Sequence, residues 1–269
     1  MRQPVALGFY PGDKKELENA VKSMLVSKIK IENAKGIIVP HAGYAYSGYV
    51  AGAAYASMNT DKRNFIMLGP NHTGRGPAAA LSADSWKTPL GEVMTDASLA
   101  ERLSKTIPVD ESAHRHEHSL EVQLPFLQVM RSNFTITPVC LSHLSFAAIE
   151  KLAYALLDEN SFYIASSDFI HFGPNYGYQP ISADIRTAVA WVKSVDKRLI
   201  ELICKLDAKS FYNEVEENGY TVCGYVPITL LLLTMKKLGA KKAELIKYAT
   251  SYEIHPSSSF VSYAGIVFE

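Results

Sequence analysis

The chain has 269 residues, 48% of them apolar, with 27 basic side chains balanced by 27 acidic ones and a pI near 7.1. That is enough apolar material for a full core, while balanced charge without like-sign blocks argues against a nucleic-acid-binding face, which depends on net basicity. Cys140, Cys204 and Cys223 are far apart and form no CxxC pair, which argues against a disulfide framework and for a reducing cytoplasm.

From the amino terminus, Met1 to Tyr10 lacks the long apolar run of a signal peptide. Periodicity then predicts a helix over Lys14 to Ser27 and a buried strand at Gly36 to Val39. A helix over Ser47 to Met58 follows, its Ala51-Gly52-Ala53-Ala54 run suited to close packing, and then a strand at Phe65 to Leu68. Trp86 to Met94, with Pro89 and Gly91, reads as an irregular extended or hairpin insertion.

Further helices are expected at Asp96 to Lys105, Ser119 to Met130 and Phe146 to Leu157, with strands at Thr135 to Cys140 and Phe162 to Ala165. Ile181 to Leu206 reads as a long helix. Val226 to Met235 is far shorter than the ~20 residues a membrane span needs and reads as a buried helix, with Pro227 in its first turn and Gly239 as its stop. Leu245 to Tyr252 and Phe260 to Phe268 alternate like paired closing strands, expected to run antiparallel. The alternation argues for a three-layer α/β/α sandwich on a mixed sheet, and residues 1–269 read as a single domain.

Ligands in open α/β sheets bind beyond the carboxyl ends of the strands. His41 follows one expected strand, His72 another, and Asp168 with His171 a third, so one local rule sends all of them to the same sheet edge. Imidazole nitrogens suit zinc, copper, iron and nickel. Cys223 sits just ahead of a helix start, where the helix dipole favours thiolate. A set of His41, His72 and Cys223 would be an open metal site with room for water or substrate. Asp168 would orient His171, a general acid–base, or act as a further ligand.

In Ala113 to Glu121, i,i+3 spacing puts His118 and Glu121 on one helical face, like half of a metal-binding helix. His114 and His116 read as exposed, His143 and His255 as structural, and Cys140 and Cys204 as core. The Gly74-Arg75-Gly76 run matches no nucleotide-binding loop.

Longer motifs carry a resemblance. Pro40-His41-Ala42-Gly43-Tyr44-Ala45-Tyr46-Ser47-Gly48, Gly69-Pro70-Asn71-His72, Trp86-Lys87-Thr88-Pro89-Leu90-Gly91, Glu117-His118-Ser119-Leu120-Glu121-Val122-Gln123-Leu124-Pro125, Ser166-Ser167-Asp168 with His171, Val222-Cys223-Gly224 and Ser262-Tyr263-Ala264-Gly265 are similar to the Memo family. Its bacterial and archaeal members are called AmmeMemoRadiSam system protein B. The resemblance implies a fold like that of class III extradiol ring-cleavage dioxygenases and a repurposed metal pocket of His41, His72 and Cys223, with Asp168, His171 and His118 as catalytic residues.

Those dioxygenases complete a 2-His-1-carboxylate set, whereas this chain offers Cys223 in place of the carboxylate, which shifts preference toward copper, zinc or thiolate-bound iron and away from ring cleavage. Phe172 stands where the family suggests tyrosine. The implied function is a metal-dependent oxidoreductase acting on an unknown small molecule or peptide. The rivals are a peptide- or partner-binding module without catalysis, or a subunit working with AmmeMemoRadiSam proteins, a radical-SAM protein among them.

Overall fold

The computed structural model describes residues 1–269. Its strands are β1 (Gly36–Val39), β2 (Asn64–Pro70), β3 (Ala79–Leu81), β4 (Trp86–Thr88), β5 (Gly91–Thr95), β6 (Thr135–Leu141), β7 (Ser161–Ser166), β8 (His171–Phe172), β9 (Ala243–Thr250) and β10 (Phe260–Phe268). Its helices are α1 (Lys14–Met24), α2 (Tyr44–Ser57), α3 (Ala97–Ser104), α4 (Leu124–Met130), α5 (Phe146–Ala155), α6 (Ile185–Cys204), α7 (Ala208–Asn218) and α8 (Tyr225–Lys237). All ten strands join one mixed sheet in the order β4-β5-β6-β2-β7-β1-β10-β8, with β3 on β6 and β9 on β10.

The segment β5-β6-β2-β7-β1 is parallel throughout. Its inner strands β6, β2, β7 and β1 are buried on both faces, and their sequences are accordingly near-continuous apolar runs. Ile37, Val39, Phe65, Met67, Phe162 and Ile164 pack with α1, α2 and α4 on one side. Ile38, Ile66, Leu68, Tyr163 and Ala165 pack with α5, α6, α7 and α8 on the other. Successive side chains of a strand point to opposite faces, so one run of apolar residues feeds two cores and closes an α/β/α sandwich. No helix is long and apolar enough to cross a membrane.

The Trp86 to Met94 stretch is the β4–β5 hairpin, and β9 pairs with β10 in antiparallel register from Ala243↔Phe268 to Thr250↔Ser262. Three elements escaped the sequence: β3 and β8 span only three and two residues, and α7 follows the long α6 almost directly. The larger departure lies at Ser119, where no helix begins. Residues 117–120 are loop and turn, Glu121–Gln123 form one 3₁₀ turn, and α4 starts only at Leu124, ahead of Pro125. The i,i+3 geometry that would put His118 beside Glu121 therefore does not exist.

Glu121 instead points away from the cavity and collects the amino-terminal segment. Its carboxylate accepts from Arg2 Nη1 at 2.6 Å, from the amides of Val5 and Ala6 at 2.9 Å each, and from the Tyr10 hydroxyl at 2.5 Å. Arg2 also donates to the carbonyls of His114 and Glu117, at 2.7 and 2.5 Å, and its guanidinium lies 4.1 Å over the Trp86 ring. Both members of this ion pair are buried. His114, expected at the surface, is fully buried under Trp86, where burial brings its imidazole down to about 4.

Breaking a buried ion pair by removing one partner leaves an uncompensated charge and costs about 3–5 kcal/mol. Glu121→Ala should therefore lower the unfolding free energy by about that amount. Urea titrations of the variant and the parent check this; a loss within the scatter typical of surface substitutions would show that the node carries no stability.

Candidate metal centre

Three adjacent parallel strands supply the site. The order β2-β7-β1 brings their carboxyl ends side by side, so the turns after Pro70, Ser166 and Val39 deliver His72, the Asp168–His171 segment and His41 to one place. Two close approaches fix the remaining walls. Gly69 lets the 118–121 loop cross the end of β2, since a Cβ there would lie 2.6 Å from Leu120 Cδ2. Gly224, at the start of α8, packs where a Cβ would meet the Ser166 carbonyl at 2.5 Å, and so brings Cys223 beneath the same strand ends.

The result is a cavity of about 680 Å³ with His41, His72, His118, Asp168 and His171 on its floor. Ligand nitrogens of His41, His72 and His118 lie within 4.8 Å of one another, close enough to hold one metal ion. Cys223 stands just outside that group, its Sγ 3.2 Å from His41 Nε2. Tyr46, Tyr176 and His255 form the rim and the buried Tyr263 part of the wall; Phe172 is buried away from it. No lysine or arginine lines the cavity.

Glu117 organises this floor, and the sequence reading passed over it in favour of Glu121. Buried completely, its carboxylate accepts the His72 amide at 2.6 Å, His72 Nδ1 at 2.9 Å and the Ser119 amide at 2.9 Å, and it lies 3.4 Å from His118 Nδ1. A carboxylate held by these donors only accepts, so His72 carries its proton on Nδ1 and presents Nε2 to the cavity. Burial resists ionisation of Glu117, but the His72 hydrogen bond and charge outweigh it and bring the group down to about 2. Burial likewise works against charge on His72, and Glu117 reverses it, leaving that imidazole raised. The signal in the sequence was the direct adjacency of Glu117 to His118.

His118 is stacked between Phe9, at 4.2 Å and 26°, and His72, at 4.9 Å and 17°. Burial lowers its pKa despite Glu117. His41 stands nearly perpendicular to both imidazoles, at 76° to His72 and 86° to His118. It is buried, and desolvation with the nearby His72 and His118 holds it well below the usual histidine range, in the neutral form that ligates metals.

Asp168 and His171 share the floor but not the expected bond. Asp168 Oδ1 accepts the amides of His41 at 2.8 Å and Ala42 at 3.3 Å, so it buttresses the loop that carries His41. Burial raises its pKa against the pull of His171 and those amides. His171 is oriented by backbone carbonyls: its Nδ1 lies 3.0 Å from both Phe169 O and Thr221 O. Carbonyls only accept, so Nδ1 is protonated and Nε2 is free. Cys223 reverses the thiolate expectation, because burial and the Asp168 charge push its thiol well above the ordinary value. The helix dipole is outweighed by desolvation.

Glu117 gives a pH signature. Its folded value lies below its usual 4.5, so it stabilises the fold above pH ~4.5, and that contribution is lost as pH falls toward about 2. Glu117→Gln should flatten this part of the stability profile by roughly 3 kcal/mol. Denaturant midpoints across the acid range check it, and parallel profiles for parent and variant would remove Glu117 as an ionised member of the site.

Comparison with known sequences places this arrangement. A family model described as Memo-like protein matches residues 2–267. A protein of Methanosarcina barkeri named as a MEMO1 family protein is 39% identical over 280 residues, covering 100% of both chains. One from Thermococcus onnurineus is 38% identical, covering 100% of this chain and 99% of its own, and one from Archaeoglobus fulgidus is 37% identical with the same coverage. The match runs from the Arg2 that anchors the amino-terminal segment to Val267 in the last strand, and by that extent the chain belongs to the Memo family.

Proposed function

We propose that this chain is a transition-metal-dependent oxidoreductase in which His41, His72 and Cys223 hold the ion and His171 moves protons beside it. The observation that carries the reading is the convergence of neutral or carboxylate-supported imidazoles with a thiol 3.2 Å from His41 Nε2. The donor chemistry fits a metal. His72 donates Nδ1–H to a carboxylate, the usual support for a ligating histidine, and two imidazoles with a thiolate suit copper, iron or zinc.

Distance admits His118 as a ligand, but the stacking of its ring on His72 argues against both holding one ion, and the Cys223 sulfur, 3.2 Å from His41 Nε2, offers the third donor. Imidazole lone pairs lie in the ring plane, and His72 and His118 are stacked at 17°, so their lone pairs run side by side instead of meeting at one point. His41, nearly perpendicular to both, can share an ion with either. His118 then faces the substrate space, under Phe9. A bound copper or iron would supply redox capacity and a Lewis acid. The chain's own part is to keep His171 Nε2 available for a proton, to brace the His41 loop through Asp168, and to surround the reacting space with phenols. Catechol cleavage of the dioxygenase kind is not part of this reading, since the thiol stands in place of the carboxylate. A radical-SAM protein of the AmmeMemoRadiSam set is the partner class that the family resemblance suggests.

A second reading, a binding pocket for a peptide or partner, draws on Tyr46 and Tyr176, which are 42% and 44% exposed at the cavity mouth. Such a module would be indifferent to Cys223→Ser.

Protein purified without oxygen should carry a stoichiometric transition metal that is lost in His41→Ala and His72→Ala and kept in His171→Ala. Titrated with cobalt(II), the parent should show a thiolate-to-metal charge-transfer band that Cys223→Ser lacks. Affinity should rise with pH, because the thiol is held protonated and must release that proton to bind. Metal loss in His118→Ala as complete as in His41→Ala, with full retention in Cys223→Ser, would assign the ion to the three imidazoles and end the thiolate reading.

A further inference from the structure

Behind His41, on the side away from the cavity, lies a chain of fully buried polar groups that the metal reading does not use: Tyr55, Gln123, Ser166 and the Ser119 carbonyl. Their hydrogen atoms can be counted. The Tyr55 hydroxyl donates to Gln123 Oε1 at 3.1 Å, and Gln123 Nε2 donates to the Pro40 carbonyl at 2.9 Å. A carbonyl only accepts, so the Gln123 amide has one orientation. Its second N–H therefore points at Ser166 Oγ, 2.9 Å away. Ser166 cannot donate in that direction.

The single Ser166 hydrogen has two remaining destinations, the Ser119 carbonyl at 2.7 Å and His41 Nδ1 at 2.9 Å. Donation to Ser119 satisfies every member: the carbonyl is paired, and the two Oγ lone pairs take Gln123 N–H and His41 Nδ1–H. Donation to His41 would leave the Ser119 carbonyl without this partner in a fully buried residue, and an unpaired buried acceptor is costly. It would also put the His41 proton on Nε2, facing the Cys223 sulfur.

We infer that Ser166 is a positioning residue that fixes His41 as the Nδ1–H tautomer and turns the bare Nε2 toward Cys223 and the cavity. Gln123, set by Tyr55 and Pro40, closes off the alternative. His41 Nε2 then accepts from the Cys223 S–H in the metal-free protein and is ready to ligate without first moving its own proton. The value of this for metal binding rests on the proposed function; the tautomer itself does not.

The test is nitrogen-15 NMR of histidine-labelled protein kept in chelator, with His41 assigned by its absence in His41→Asn. Two-bond proton–nitrogen correlations report which ring nitrogen is protonated. Wild-type His41 should be the Nδ1–H form, the minor tautomer of an unconstrained imidazole. Ser166→Ala should move it toward the Nε2–H form, whereas Ser166→Thr, which keeps the hydroxyl, should retain Nδ1–H; a role in packing alone would not move the proton. A wild-type His41 protonated on Nε2 overturns the inference even if Ser166→Ala fails to fold, and so does an unchanged Nδ1–H in a folded Ser166→Ala. Because no metal is present, a chain that binds none would still give the Nδ1–H signature, and only the proposed function would fall.

Discussion

One loop buries two carboxylates with opposite assignments, and both the cavity and the amino-terminal segment depend on it. Glu117 faces inward and holds His72, while Glu121 faces outward and holds Arg2 and Tyr10. A buried carboxylate is tolerated only when its oxygens are occupied by donors, and each of these has at least three. The two sets are also joined, since Arg2 reaches the Glu117 carbonyl. The irregular path from His114 to Gln123 is the price of aiming neighbouring acids in different directions, which a continuous helix over these residues would prevent.

The site itself rests on a division between strand ends and supporting acceptors. Parallel strands β2, β7 and β1 bring His72, His171 and His41 together, and each imidazole then meets a different acceptor at Nδ1: a carboxylate, a pair of carbonyls and a saturated hydroxyl. Different chemistry produces the same outcome, a bare Nε2 in the cavity. The acceptors also differ in electrostatic effect. Glu117 raises the basicity of His72, whereas His41, backed by neutral groups and buried, is held in the neutral form.

What the sequence made legible follows from this division. His41, His72, Asp168 and His171 could be placed because short apolar strand runs and the strand-end rule are local, whereas the neighbourhood of Cys223 came from the family resemblance. Glu117 could not be separated from Glu121 without knowing that residues 117–120 are loop and turn, packed over Gly69, and that Glu121 faces Arg2. Phe9 and His255 reach the cavity from segments with no pattern of their own. The Cys223 thiol went the other way from its helix-dipole expectation because desolvation is set by residues distant in sequence, Asp168 among them. His114 is the same error in miniature: its polar neighbours suggested solvent, and Trp86 from another hairpin buries it.

The placement of β1 has a consequence for how the chain reaches this state. β1 lies between β7 and β10, with Gly36 opposite both Tyr163 and Phe268. Pairings of that sequence separation form slowly, after long loops have closed. The strand that leads to His41 gains its second neighbour only when Phe260–Phe268, more than 200 residues further along, is in place. The cavity, lined by segments from Phe9 to Tyr263, thus takes its final shape only after those long loops have closed.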